Sequence, residues 1–278
     1  MHISLAHSPD PDDAFMFYAL AQGKIDTRGY EFEHILQDIQ TLNERASRGE
    51  LDVTAVSIHA YAHLAKDYAL LRSGASMGDG YGPLVVGKTI FTRDELLRVR
   101  IAIPGKLTSA WLALLLFLGC KPEEVNAIVV PFDQIFAAVS EGRADAGLII
   151  HEGQLTYAEE GFVASVDLGK WWNERTGGLP LPLGGNAIRR SLGPEAMAEI
   201  SDILQASIRY GLEHRKDGVH HAMPLGRGLD FERTDRFVGM YVNDLTIDYG
   251  PRGREGVKEF LRCGHAAGLV PPVEVEFI

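Results

Sequence analysis

The strongest constraint on the fold is a pattern that occurs twice. Near the N-terminus a short alternating strand, Ile3-Ser4-Leu5-Ala6, passes through the loop His7–Asp13 into a helix. That helix is capped by Asp12 or Asp13 and carries Phe15, Phe17, Tyr18 and Leu20 as its apolar positions, up to Gly23. About 98 residues later the plan returns as Arg100-Ile101-Ala102-Ile103, the loop Pro104–Leu107, a cap at Thr108 or Ser109, and the apolar helix Ala110–Leu118 closed by Gly119. A second echo is more specific. Ser47-Arg48-Gly49-Glu50-Leu51-Asp52-Val53 and Ser140-Glu141-Gly142-Arg143-Ala144-Asp145-Ala146 both read as a helix end, a glycine cap, two residues, an aspartate and a buried strand, 93 residues apart. A common offset over two features predicts two lobes of similar plan and not a short-period solenoid.

Composition places the lobe boundaries. Gly74 to Gly82 holds four glycines in nine residues and precedes the strand Leu84-Val85-Val86. Thr176–Gly185, with Pro180 and Pro182, reads as an extended crossover because proline disfavours helix at itself and at the residue before it. Long helices then follow at 194–215 and 253–264. The economical arrangement puts 1–90 and 183–278 in one lobe, with 91–182 inserted as the second. Strands alternating with helices predict α/β lobes with mainly parallel sheets, and ligands of such sheets sit beyond the carboxyl ends of the strands, here in the cleft between lobes.

A formal charge of −11, from 27 basic and 38 acidic residues, argues against nucleic acid and against an anionic membrane surface. It leaves room for a small anion held locally by backbone amides. Cys120 and Cys263 lie too far apart in sequence to suggest a disulfide framework, and no zinc spacing is present. The longest apolar run, Ala110 to Leu118, is too short to span a bilayer, and the N-terminus lacks the basic and apolar regions of a secretion signal. The expectation is a cytoplasmic location.

The loops past the strand ends carry the candidate chemistry. Ala55, Val56 and Ser57 close one buried strand; Ile150 and His151 close its counterpart, and the offset pairs Ser57 with Ile150. A histidine leaving a buried strand into a cleft suits a general base at neutral pH, although such a ring can equally make a structural hydrogen bond. Thr108-Ser109 opens the apolar helix, where unpaired amides and two hydroxyls can seat a carboxylate or phosphate, or can simply cap. The acidic loop Ser8–Asp13 can orient a polyol, or its carboxylates can cap and turn. His59 and His63 stand four apart without a third metal ligand and read as surface histidines; no metal site is expected. Gly78-x-Gly80-x-Gly82 precedes a strand instead of following one, so it is not a dinucleotide fingerprint. No phosphate-loop lysine and no nucleophile-elbow serine occurs. Trp111, Trp171 and Trp172 read as packing residues.

In order and spacing, several segments resemble the 1,4-dihydroxy-6-naphthoate synthase family. They are Ser8-Pro9-Asp10-Pro11-Asp12-Asp13-Ala14-Phe15-Met16-Phe17-Tyr18-Ala19-Leu20, Asp38-Ile39-Gln40-Thr41-Leu42-Asn43 and Gly82-Pro83-Leu84-Val85-Val86. Ile150-His151-Glu152-Gly153 with Thr156-Tyr157, the crossover Gly178–Gly185, and Gly268-Leu269-Val270-Pro271-Pro272 extend the likeness over nearly the whole chain. The resemblance implies a two-lobed, type II periplasmic-binding-protein-like fold and a lyase of the futalosine route to menaquinone. Its reaction converts cyclic dehypoxanthinylfutalosine to 1,4-dihydroxy-6-naphthoate with no metal or organic cofactor. It also implies His151 as the proton acceptor, with substrate contacts at Ala55, Val56, Ser57, Thr108 and Ser109; a serine stands at 109 where the family pattern has threonine.

Two rivals stay open at this stage. A solute-binding protein would capture a small acid without chemistry and would gain nothing from a titratable base. A chorismate dehydratase would share pathway and fold but lacks the Ile-His-Glu-Gly segment.

Overall fold

The computed structural model describes residues 1–278. The fold is built on two mixed sheets. In the first, β2 (Glu31–Leu36), β1 (His2–His7), β3 (Val53–Ser57), β11 (Leu181–Arg189) and β4 (Tyr68–Leu70) lie side by side, and β5 (Ser76–Gly78) pairs with the far end of β11. In the second the order is β10 (Val163–Asp167), β6 (Leu84–Gly87), β9 (Ala146–Ile149), β7 (Ile101–Ile103) and β8 (Ala127–Val129). The repeated plan is visible in both. β1 lies parallel between β2 and β3, and β7 lies parallel between β8 and β9. Gly49 and Gly142 cap the corresponding helices with φ of 68° and 71°, a conformation that disfavours side chains.

The parallel arrangement holds for these three-strand units and stops there. β11 runs antiparallel to β3, β4 and β5, and β6 runs antiparallel to β9 and β10. Both are the strands by which the chain changes lobe, and each enters its sheet from the opposite direction. This also corrects the first boundary. The strand Leu84–Gly87 belongs to the second sheet, with Val85 opposite Leu148 and Val166, so the chain crosses at Gly82–Pro83 and not after residue 90. It returns to the first sheet at Leu181. The crossing is tight: a Cβ on Gly82 would lie 2.8 Å from the backbone of Gly169.

Behind the cleft the lobes share one apolar core. Val56, Tyr61 and Leu70 of the first are continuous with Val85, Trp111 and Leu148 of the second, through the helices Ile58–Leu64, Ser109–Leu118 and Gly250–Ala266. Ser109–Leu118 is apolar all round and eight of its ten residues are buried, as a helix wedged between two layers must be. The amphipathic helix Pro194–Glu213 covers the other face of the first sheet with Ile200, Ile203, Leu204 and Ile208. No helix is long and apolar enough to cross a membrane.

Candidate active site

A cavity opens between the lobes at the end of β3 and the middle of β11. It is lined by Ala55, Val56 and Ser57, by Gly184, Gly185 and Asn186 opposite them, by Thr108, Ser109 and Ala110, by Ile150, and by the acidic loop with Asp10, Asp12 and Asp13. Five of the six site residues inferred from sequence are thus brought to one place.

The Thr108 hydroxyl accepts from the Trp111 amide at 3.2 Å and donates to the Gly105 carbonyl at 2.9 Å. The Ser109 hydroxyl donates to the Leu183 carbonyl at 2.5 Å and accepts from the His59 amide at 3.1 Å. Both hydroxyls are therefore spent on structure, one as a cap and one as a tie between the lobes. The amide N–H groups of Ser109 and Ala110 have no acceptor in the protein, and they point out of the positive end of a ten-residue helix. Unclaimed amides at a helix start can seat an anion.

Three residues hold this end rigid. His59 is buried, not at the surface: its Nδ1 bonds the Thr108 carbonyl at 3.2 Å, and burial lowers its pKa to about 4, so the ring is neutral. Asn43, wholly buried, donates from Nδ2 to the Ser57 hydroxyl at 3.0 Å and accepts the Ser57 amide at 2.9 Å. The Ser57 hydroxyl proton is left to face the cavity. Gln40 accepts the Leu107 amide at 3.1 Å, and it approaches so closely that a Cβ on Gly105 would lie 2.2 Å from its Oε1.

The acidic loop is ordered from within. The Ser8 amide donates to Asp13 at 2.8 Å and the Ser8 hydroxyl to Asp10 at 2.6 Å. Burial, reinforced by the charges of Asp13 and Asp10, pushes Asp12 well above the usual carboxylate range. Burial likewise lifts Asp13 to about 7 against the pull of the Ser8 amide. The pair holds a proton at neutral pH.

His151 is not brought to this cavity. β9 ends at Ile149 and Ile150 takes the inward position, after which the chain turns, the Gln154 amide donating to the His151 carbonyl at 3.0 Å. The imidazole swings away: Nε2–H donates to the Phe132 carbonyl at 2.9 Å and Nδ1 accepts the Gly153 amide at 2.9 Å. The ring lines a separate cleft with Asp133, Phe136, Glu152 and Arg227. A free base facing the first cavity, the sequence-based expectation, is not found.

Arg227, which no sequence motif singles out, joins the lobes at this point. Its guanidinium donates to Glu152 of the second lobe at 2.9 Å and to Asp10 of the first at 3.0 Å, 4.6 Å above the Phe132 ring. Its backbone has φ of 48°, unusual for a residue with a side chain. Beside it the Tyr241 hydroxyl donates to Gln154 across the same seam at 2.9 Å.

Comparison with known proteins places this architecture. A family profile described as menaquinone biosynthesis matches residues 3–266. A protein of Thermus thermophilus named 1,4-dihydroxy-6-naphthoate synthase is 39% identical over 97% of this chain and 96% of its own. A crystal structure of an Archaeoglobus fulgidus protein superposes with a TM-score of 0.91 at 46% identity, over 97% of this chain and 98% of that one. An alkanesulfonate-binding protein of Xanthomonas axonopodis shares the fold alone, with a TM-score of 0.73 at 14% identity over 98% and 94%; the architecture is that of the periplasmic binding proteins. On the family match over nearly its full length, this chain belongs to the menaquinone-biosynthesis family and is an enzyme of that pathway.

Proposed function

We infer that the chain is a carbon–carbon lyase that converts cyclic dehypoxanthinylfutalosine to 1,4-dihydroxy-6-naphthoate. The observation that carries this is the pair of unclaimed amides at Ser109 and Ala110, which line a cavity between the lobes. A carboxylate seated there gains about 0.3–2 kcal/mol from the helix end, and the ring system it carries then lies over the glycine backbone of β11. Contact of the lobes excludes water, and formation of the aromatic ring drives release of the sugar-derived fragment.

The proton step has two candidates. Resemblance gives it to His151, which must first rotate the turn 150–153 and break two hydrogen bonds worth about 1 kcal/mol each, leaving a few per cent of molecules competent. The geometry favours Asp13, already at the cavity and titrating about 7. If His151 is the base, His151→Ala loses about 10²–10⁴ in turnover. Near-normal turnover in His151→Ala with loss in Asp13→Asn gives the step to Asp13.

The activity itself is tested by incubating the protein with cyclic dehypoxanthinylfutalosine and separating the products. Appearance of 1,4-dihydroxy-6-naphthoate is expected. Recovery of unchanged ligand in stoichiometric complex makes the protein a binder, and conversion of chorismate to 3-enolpyruvylbenzoate makes it a dehydratase instead.

A further inference from the structure

The cavity has a second polar end that the anion seat leaves unexplained. Asn186 lies in the middle of β11, opposite Ala55, and is 1% exposed. Its Nδ2 has no hydrogen-bond partner in the protein. The amide packs on Gly74, where a Cβ would lie 2.0 Å from Nδ2, and both residues line the cavity together with Ser76, Asp12 and Asp13. A buried amide donor without an acceptor is costly, and it is tolerated where a ligand supplies the acceptor.

The register places this end relative to the other. Ser109 is tied to the Leu183 carbonyl, and Asn186 stands three residues further along the same strand, about 10 Å away at the usual rise of a strand. Between them lie Gly184 and Gly185, which put no side chain into the space. Asp12 and Asp13 line the same cavity, and their carboxyl groups disfavour a second anion there. The far end is equally unsuited to an ammonium group, whose hydrogens would face the Asn186 N–H. Only a group that accepts from an amide and donates to a carboxylate satisfies both, and a hydroxyl does so.

We propose that Asn186, with Asp12 and Asp13, forms a hydroxyl-binding subsite that takes the sugar-derived part of the substrate while the Ser109 and Ala110 amides hold its carboxylate. This rests on the lyase activity inferred above and adds to it a residue that selects for a hydroxyl-bearing ligand. The Asn186 amide is a binding group in this scheme and takes no part in proton transfer.

The test compares Asn186→Ala with the unsubstituted protein on two compounds, cyclic dehypoxanthinylfutalosine and 2-naphthoate, which offers the carboxylate and ring without hydroxyls. KM for the first is expected to rise about tenfold, the loss of one buried hydrogen bond, while Kd for 2-naphthoate stays within twofold. Asn186→Ser restores a donor and is expected to recover part of the loss; its 2-naphthoate affinity reports folding independently of the alanine variant. An unchanged KM, or a rise shared equally by KM and the 2-naphthoate Kd, overturns the subsite and leaves the lyase intact. Absence of turnover in the unsubstituted protein overturns the lyase and this subsite with it.

Discussion

Arg227 offers the sharpest test of what holds the two lobes together at this seam. Its side chain bridges Asp10 and Glu152, which sit on different lobes, and it donates to the Pro9 carbonyl at 3.3 Å as well. The Glu152 side chain is 8% exposed, whereas those of Asp10 and Arg227 are 22% and 31% exposed. Breaking a buried ion pair costs about 3–5 kcal/mol because one charge is stranded; partial exposure of the arginine reduces this to about 2 kcal/mol. Arg227→Ala should therefore open the seam by that amount. Amides of 150–157 and 223–230, measured by hydrogen exchange in the native state, should exchange about 30-fold faster while the core of β3 and β9 keeps its protection. A second variant separates charge from backbone. Because φ at 227 is 48°, Arg227→Gly loses the same ion pair yet relieves about 1 kcal/mol of left-handed strain, so its exchange should rise only about fivefold. Exchange at the seam that stays at the unsubstituted rate in Arg227→Ala would refute the claim that this contact closes the lobes. Equal acceleration in both variants would refute the strain argument.

Other consequences can be checked on the same protein. Asp13 has its pKa raised on folding from 3.8 to about 7, so the stability it contributes is fully present below 3.8 and is lost as pH rises through 7. Relative to Asp13→Asn, the unsubstituted protein should gain stability in urea titrations between pH 8 and pH 5, and a constant difference would contradict the shift. His59 works in the opposite sense. Its pKa is depressed from 6.5 to about 4, so stability is present above 6.5 and falls away toward pH 4, by about 3 kcal/mol over that window. His59→Gln should flatten this acid limb, as followed by the denaturation midpoint against pH. Gly105→Ala must drive Gln40 off the Leu107 amide and should cost about 1–2 kcal/mol, seen as a lowered Tm. Asn43→Ala removes both hydrogen bonds that fix Ser57; a loss of about 2–3 kcal/mol is expected, and a change below 1 kcal/mol would show that the strand end holds Ser57 without it.

What could be read from the chain was whatever depends on local backbone geometry. The glycines at 49 and 142 adopt the left-handed caps their spacing implies, and Thr108 caps the helix whose first amides lack an acceptor. The sheet to which Leu84–Gly87 belongs could not be read, because an all-apolar run of four fits the middle of either sheet and only hydrogen-bond partners distant in sequence decide between them. The direction of the His151 ring was illegible for a related reason. One residue past a strand end, a single turn settles whether Ile150 or His151 faces inward, and here the Phe132 carbonyl and the Gly153 amide claim the imidazole. His59 was misplaced because its burial comes from the other lobe, through Thr108 and Ser109. Asn186 did leave a trace: a lone amide residue inside the apolar strand Leu181–Arg189, where an uncompensated polar group is expensive. A polar residue that breaks a buried strand pattern thus points to a cavity wall more directly than the histidine singled out by its type. The histidine's chemistry is general, whereas a buried amide without an acceptor is costly and asks for something to complete its hydrogen bonding.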